Sequence, residues 1–135
     1  RSACSSKGGT GTLMFMTPDE VVWFANHKYG ECAYLIEYGN EMIILTTKSK
    51  WRILLNDLHR FGHYTLFHLN HATDRAHYHK QCEGRELDYL VYYAIRHDLD
   101  LPCDMREFER LWEMYCLGRE LEESVATFEF LSEGD

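Results

Sequence analysis

The first patterned stretch of the chain has the signals of a helix at both ends. Thr17, Pro18 and Glu20 are typical of a helix N-terminus: a capping threonine, a proline in the first turn and the acidic partner of a capping box. Apolar residues then recur every three or four positions, and Gly30 follows them. Because glycine commonly ends helices, this pattern predicts a helix over 17–30.

The next signals are typical of strands. Residues 32–38 and 41–47 are rich in β-branched and aromatic side chains, and Gly39-Asn40 between them suits a two-residue turn. Together they predict a β-hairpin over 32–47. Residues 63–69 alternate between two faces, which predicts a further strand.

Helical spacing predicts three more helices. The second begins at a capping Ser49. Its apolar stripe would consist of Trp51, Leu54, Leu55 and Leu58. The third covers 86–97, and the fourth begins at Asp104 and pauses or ends near Gly118. Residues 127–131 alternate again and predict a closing strand. The predicted fold is α+β, an antiparallel-rich sheet of about four strands packed with about four helices.

The length of 135 residues fits one domain, which we place at residues 14–135. Residues 1–13 are small, polar and Gly-rich, which is typical of a flexible tail or a cloning remnant, with natural translation starting at Met14 or Met16. No apolar run approaches the roughly 20 residues that a membrane-spanning helix needs. The five cysteines are an odd number without a Cys-x-x-Cys pair, which favours free thiols in the cytoplasm.

The formal net charge of −8 is unevenly distributed along the chain. Residues 1–85 carry ten Lys and Arg against eight Asp and Glu, whereas residues 86–135 carry four against fourteen. A C-terminal half with this charge repels nucleic acids and anionic membranes, and it attracts a basic protein surface. Charged helix faces also serve solubility alone, so the charge by itself leaves that alternative open.

These patterns favour a non-enzymatic regulatory or inhibitory binding protein whose acidic C-terminal helices dock on a basic protein surface. The predicted partner-binding residues are three tyrosines of the third helix and four glutamates near the C-terminus: Tyr89, Tyr92, Tyr93, Glu113, Glu120, Glu122 and Glu123. The tyrosines equally suit a helix that is buried on both faces. Nucleic-acid mimicry is an extreme form of this function, and small inhibitors made by phages and mobile elements are similar in size and charge. No catalytic residue is identified, and the oligomeric state stays open.

Histidines are concentrated in one segment and suggest a second hypothesis. Five of the eight lie between residues 63 and 79, and Cys82 follows. On an extended segment His77 and His79 project to the same side, and imidazole and thiolate groups are zinc ligands. We therefore assign His77, His79, Cys82 and His71 as candidate zinc ligands, and Asp74 or Cys103 could supply the fourth position in place of His71. Zinc there would be structural, or would serve a metal-dependent hydrolase that uses the segment 63–82. Ordinary hydrogen-bonded histidines are the alternative.

A third hypothesis is an RNA-binding module. Lys48, Lys50, Arg52 and Arg60 surround the predicted second helix, and aromatic side chains on the strands would supply stacking surfaces. Such a module needs the basic residues and the exposed aromatics on one face. The net charge of −8 disfavours nucleic acid as a direct ligand.

Overall fold

The computed structural model describes residues 16–56, 62–70 and 78–133. Its elements, in chain order, are α1 (Pro18–Tyr29), β1 (Ala33–Tyr38), β2 (Glu41–Thr46), β3 (Ser49–Leu54), β4 (Tyr64–Asn70), β5 (His79–Gly84), α2 (Leu87–Leu99) and α3 (Met105–Glu133). The predicted α+β class is confirmed. The described residues form five strands and three helices rather than about four of each.

The predicted start and end of α1 are confirmed. Thr17 Oγ1 accepts a hydrogen bond from the backbone nitrogen of Glu20 at 3.1 Å. The Glu20 carboxylate accepts one in return from the backbone nitrogen of Thr17 at 2.9 Å, which completes the capping box. Gly30 follows the last turn with a φ of +82°, a backbone conformation that glycine adopts without steric strain.

The five strands form one antiparallel sheet whose spatial order is the order of the chain, β1-β2-β3-β4-β5. The predicted hairpin is confirmed, since β1 pairs with β2 from Ala33 opposite Thr46 to Tyr38 opposite Glu41. Gly39 begins its two-residue turn with a φ of +59°. A glycine at the first turn position suits the right-handed twist of the flanking strands.

The hydrophobic core lies between one face of the sheet and the helices α1 and α2. The sheet contributes side chains that alternate along β2, β3 and β4: Met42, Ile44, Trp51, Ile53 and Leu66. The two helices contribute Val21, Phe24, Leu90, Val91 and Ile95. Because the opposite face of the sheet carries the intervening residues, the strands show the two-residue period of a sheet that is covered on one side.

Two predicted elements are wrong. The second helix, from Ser49, is strand β3, in which Ser49, Trp51 and Ile53 are buried and the residues between them are less so. The closing strand at 127–131 lies within α3, which does not end near Gly118 but continues to Glu133. Strand β5 is not predicted because its sequence, HKQCEG, is polar and shows no alternation.

The chain divides into two compact units, of which one is Phe15–Met105 and the other has residues 106–133 as its described part. The single domain over 14–135 stays a prediction, and the predicted tail at 1–13 lies outside the described residues. Among the helices described, none is long and apolar enough to cross a membrane. Cys32 and Cys82 are free thiols as predicted, but Cys116 is disulfide-bonded.

Candidate functional site

The C-terminal two thirds of α3, from Met114 to Leu131, expose a row of apolar side chains. Six of them are 55–71 % exposed: Met114, Leu117, Leu121, Val125, Phe128 and Leu131. We call this row the α3 stripe. Monomeric proteins rarely expose apolar side chains contiguously unless the surface binds something, so this row marks a candidate docking surface.

The spacing of the α3 stripe follows a seven-residue repeat. Met114, Leu121 and Phe128 stand seven residues apart, and Leu117 and Leu131 occupy the second apolar position of the same repeat. Residues three, four and seven apart lie on one side of a helix, so these side chains form one continuous surface. At about 1.5 Å per residue, the stripe extends for about 26 Å.

Carboxylates flank the α3 stripe. The four predicted partner-binding glutamates, Glu113, Glu120, Glu122 and Glu123, are all exposed on α3. Residues 113–133 contain six glutamates and one arginine, a formal charge of −5. That arginine, Arg119, lies 3.8 Å from the Glu123 carboxylate. The formal charge of −5 already includes Arg119, so the surface around the stripe is strongly acidic.

The three predicted tyrosines do not form one surface. Tyr92 is buried, and its hydroxyl donates a hydrogen bond to the carbonyl oxygen of Cys103 at 2.5 Å. Tyr89 is exposed. Tyr93 is half-buried, and its ring stacks on His97 with the ring centres 6.3 Å apart. Tyr92 is therefore not available to a partner, and Tyr89 is the most exposed of the three.

A buried carboxylate in α2 accepts several hydrogen bonds from the sheet. Asp98 Oδ2 accepts from the hydroxyls of Thr46 and Ser49 at 2.5 and 2.6 Å and from the Trp51 indole nitrogen at 2.8 Å. Burial raises the pKa of Asp98, but the donors, with His97 as a fourth, outweigh burial and lower it below the ordinary value. The carboxylate is therefore held ionised inside the fold.

Three histidines lie beside this hydrogen-bond network. His68 stacks on Trp51 with the ring centres 3.8 Å apart, and its Nε2 lies 2.9 Å from Ser49 Oγ. His97 Nδ1 lies 3.2 Å from Asp98 Oδ1. The His68 ring is 5.3 Å from that of His79 and 5.4 Å from that of His97. Strand register brings His79 here, because it pairs directly with His68.

This site contains the residue types of a serine hydrolase but not their connections. In a catalytic triad the serine bonds to the histidine, and the histidine bonds to the carboxylate. Here Ser49 Oγ donates directly to Asp98, so towards His68 Nε2 it acts as the acceptor. Ser49 is also buried. The arrangement stabilises a buried charge and presents no nucleophile to a substrate.

The predicted zinc ligands are only partly described. His79 and Cys82 lie on β5, whereas His71 and His77 lie outside the described residues. No group of three or more His, Cys, Asp and Glu side chains in the described ranges is arranged to hold a metal ion. Burial, with a smaller contribution from Glu83, raises the pKa of the Cys82 thiol to about 11. The zinc site and the hydrolase stay predictions without support from the described part.

The second face of the sheet carries aromatic and basic side chains. Tyr34 and Tyr38 on the edge strand β1 are 71 % and 73 % exposed. The strand registers place Lys50 and Arg52 of β3 on the same face as these tyrosines. The basic residues of the RNA hypothesis thus lie on a strand and not on the predicted helix, and Arg60 lies outside the described residues.

Comparisons with protein-family models, curated proteins and solved structures find no match to this chain. Its function must therefore be inferred from its own geometry, and the two most developed features are the acidic α3 stripe and the site around Asp98.

Sequence reasoning missed both features, although each left a signal. Phe128 and Leu131 continue the spacing of Met114 and Leu121, but alternation at 127–131 also matches a strand. Asp98 stands seven residues after Val91, on the apolar side of α2, where a carboxylate must find buried donors.

Proposed function

We propose that the protein is a non-enzymatic regulatory or inhibitory binding protein that docks on a basic protein surface through α3. The observation that carries this proposal is the α3 stripe, an exposed apolar row on a helix segment with a formal charge of −5. Burying a side chain of this size stabilises a complex by roughly 1.5–3 kcal/mol before the entropy costs of association. The carboxylates around the stripe would attract and orient a basic partner.

The same geometry favours protein docking over nucleic-acid mimicry. The four glutamates are unevenly spaced: Glu120, Glu122 and Glu123 lie within about one helical turn, whereas Glu113 stands about 10.5 Å before Glu120 along the helix axis. Phosphates of one DNA strand follow each other at a regular interval of about 3.4 Å along the duplex axis. An apolar stripe also has no counterpart on a phosphate backbone, whereas it is the expected centre of a protein interface.

Neutralising the acidic surface of α3 tests the proposal. The test variant replaces Glu113, Glu120, Glu122 and Glu123 with glutamine. A matched control removes four exposed carboxylates elsewhere: Glu31→Gln, Glu37→Gln, Glu86→Gln and Asp100→Asn. Binding to an immobilised lysine-rich polypeptide is measured for both by interferometry. We expect the α3 variant to bind at least tenfold more weakly and the control to stay within about twofold of wild type.

Equal weakening of the two variants would show that only net charge matters and would refute docking through α3. Absence of wild-type binding at low ionic strength would refute it as well, because electrostatic attraction is strongest there. The measurement is therefore made first at low salt and then repeated at physiological salt.

The cytoplasm is the location that we propose, because Cys32 and Cys82 are free thiols. The disulfide at Cys116 counts against it, since disulfides are rare in reducing compartments. Thiol alkylation in freshly lysed cells, before and after reduction, tests the location. In denatured lysate we expect Cys32 and Cys82 to be alkylated without prior reduction, and alkylation of Cys116 only after reduction would contradict a reducing compartment.

RNA binding through the second face of the sheet is a second candidate function. It is supported by Arg52, which lies on the face of the exposed Tyr34 and Tyr38 with its guanidinium 4.3 Å from the ring centre of Tyr78. Bases stack on such aromatic side chains while cations contact the phosphates. If this function holds, a labelled single-stranded oligouridine will bind in fluorescence anisotropy, and Tyr34→Ala with Tyr38→Ala will weaken it. Unchanged anisotropy with the wild-type protein would exclude it.

A further inference from the structure

We infer that the partner of the α3 stripe is a basic amphipathic α-helix that lies along it. The inference rests on the proposed function and adds the shape of the partner to its charge. A basic surface of any shape would satisfy the carboxylates. The arrangement of the apolar side chains restricts the possible partners to those with a matching apolar surface.

The repeat of the stripe is the repeat that a second helix recognises. Met114, Leu121 and Phe128 occupy the first apolar position of three successive heptads, and Leu117 and Leu131 occupy the second. Side chains in this arrangement insert between those of a facing helix, because both helices then present an apolar row with the same period. A strand has a two-residue period and cannot match this row along its length.

The length of the stripe suits a helical partner of ordinary size. Its span of about 26 Å corresponds to about five helical turns. Peptide helices bind in this way with apolar anchors three, four and seven residues apart. In the middle heptad the second apolar position is occupied by Ser124. The neighbouring Val125 supplies exposed apolar surface in the same helical turn.

Charge selects a basic helix and disfavours a second copy of this chain. Residues 113–133 carry a formal charge of −5, with Arg119 as the single cation. Two copies of α3 in contact would bring two such surfaces together, and like charges across an interface reduce affinity. A helix with Lys and Arg beside its apolar row reverses the sign of these interactions. The carboxylates of α3 also repel acidic partners.

Two synthetic peptides of identical composition test the shape of the partner against the full chain. The first has leucines at heptad spacing flanked by lysines and arginines. The second is a permutation with the same charge and no apolar helix face. Binding is measured by fluorescence anisotropy, and far-UV circular dichroism records the helix content of the mixture. We expect the heptad peptide to bind at least tenfold more tightly and to gain helix content on binding.

Variants of α3 locate the site. Leu121→Ser and Phe128→Ser remove exposed apolar side chains from the stripe, and we expect each to weaken binding of the heptad peptide at least tenfold. Ala126→Ser alters an exposed position outside the stripe and should leave binding within about twofold. Circular dichroism of each free variant verifies that the fold is retained.

The outcomes separate the inference from the proposed function. Equal affinity for the two peptides overturns the helical partner while docking on a basic surface stands. Failure of both peptides to bind overturns both. If the wild type sediments as a dimer and Leu121→Ser sediments as a monomer, the occupant is a second copy, and the inference is wrong.

Discussion

The carboxylate of Asp98 in α2 accepts a hydrogen bond from the indole nitrogen of Trp51 in β3 at 2.8 Å, and both side chains are buried. The hydroxyls of Thr46 and Ser49 point at the same oxygen. One carboxylate thus ties the end of a helix to two neighbouring strands. Because its partners are donors from the sheet, the bond network depends on the negative charge.

Removing that charge is expected to destabilise the fold. In Asp98→Asn, a neutral amide oxygen replaces the charged oxygen that accepts all three bonds from the sheet, so each bond loses its charge assistance. We expect the free energy of unfolding in urea to fall by about 2–4 kcal/mol. The control is Asp100→Asn, an exposed residue with a φ of +55° that asparagine tolerates well. Similar losses in both variants would mean that net charge, and not hydrogen bonding, is responsible.

The same carboxylate makes a pH-dependent contribution to stability. Its pKa is lower in the folded protein than the ordinary value, so the unfolded chain binds the proton more tightly. The contribution is therefore complete above the unfolded-state pKa of about 4 and is lost as the pH falls through the lower folded-state pKa. Urea midpoints measured between about pH 3 and pH 7 should fall less steeply towards acid in Asp98→Asn. Parallel curves for the two proteins would contradict the assignment.

Two threonines on the sheet should respond in opposite directions to valine. Thr65 Oγ1 is buried without a hydrogen-bond partner among the described residues, so Thr65→Val is expected to stabilise the protein by about 1 kcal/mol. Thr46 Oγ1 donates to Asp98, so Thr46→Val is expected to destabilise it by about 1–2 kcal/mol. Thermal and urea unfolding measure both. A loss of stability in Thr65→Val would show that its hydroxyl has a partner.

Two glycines should also respond in opposite directions to alanine. Gly39 has a φ of +59° in the hairpin turn, which costs other residues about 1 kcal/mol, so Gly39→Ala is destabilising by that amount. Gly118 lies inside α3, and a Cβ there would meet nothing within 4 Å. Gly118→Ala should therefore stabilise the protein by about 0.5–1 kcal/mol. A helix that ended at Gly118 would show no such gain.

The thiol of Cys82 is expected to react slowly with alkylating agents. Burial and the neighbouring Glu83 raise its pKa to about 11, so at pH 8 its thiolate is roughly a hundredfold scarcer than that of a cysteine with the ordinary value. We expect iodoacetamide to alkylate it at least tenfold more slowly in the folded protein than in urea, as followed by mass spectrometry. Equal rates in the two conditions would show that the thiol is not protected.

The elements that the sequence predicts correctly are those with local signals. The capping box at Thr17 and Glu20 and the turn at Gly39 act within a few residues, so they can be recognised without tertiary information. The segment from Ser49 satisfies helical spacing and alternation at once. Pairing with β2 on one side and β4 on the other favours the strand. The sequence of one segment does not reveal which strands it will pair with.

The candidate sites depend on information of longer range. Ser49, His68 and Asp98 come together only because β3 pairs with β4 and α2 packs over them. The acidic character of α3 is visible in the sequence, and the four glutamates assigned from it are exposed. The α3 stripe is not predicted because residues 127–131 also alternate as a strand would. A pattern of five residues is too short to distinguish a strand from the end of a long helix.

The order of the strands also has a kinetic consequence. Each strand pairs with the next one along the chain, so every ladder closes only a short loop, and short loops cost little entropy. The helices α1 and α2 differ, since they pack together although all five strands lie between them in the chain. Contacts between residues close in sequence favour rapid folding. The contacts within the sheet are of this kind, whereas those between α1 and α2 join residues far apart in the sequence. Among the described elements, the contact of α1 with α2 thus closes a longer loop than any of the strand ladders does.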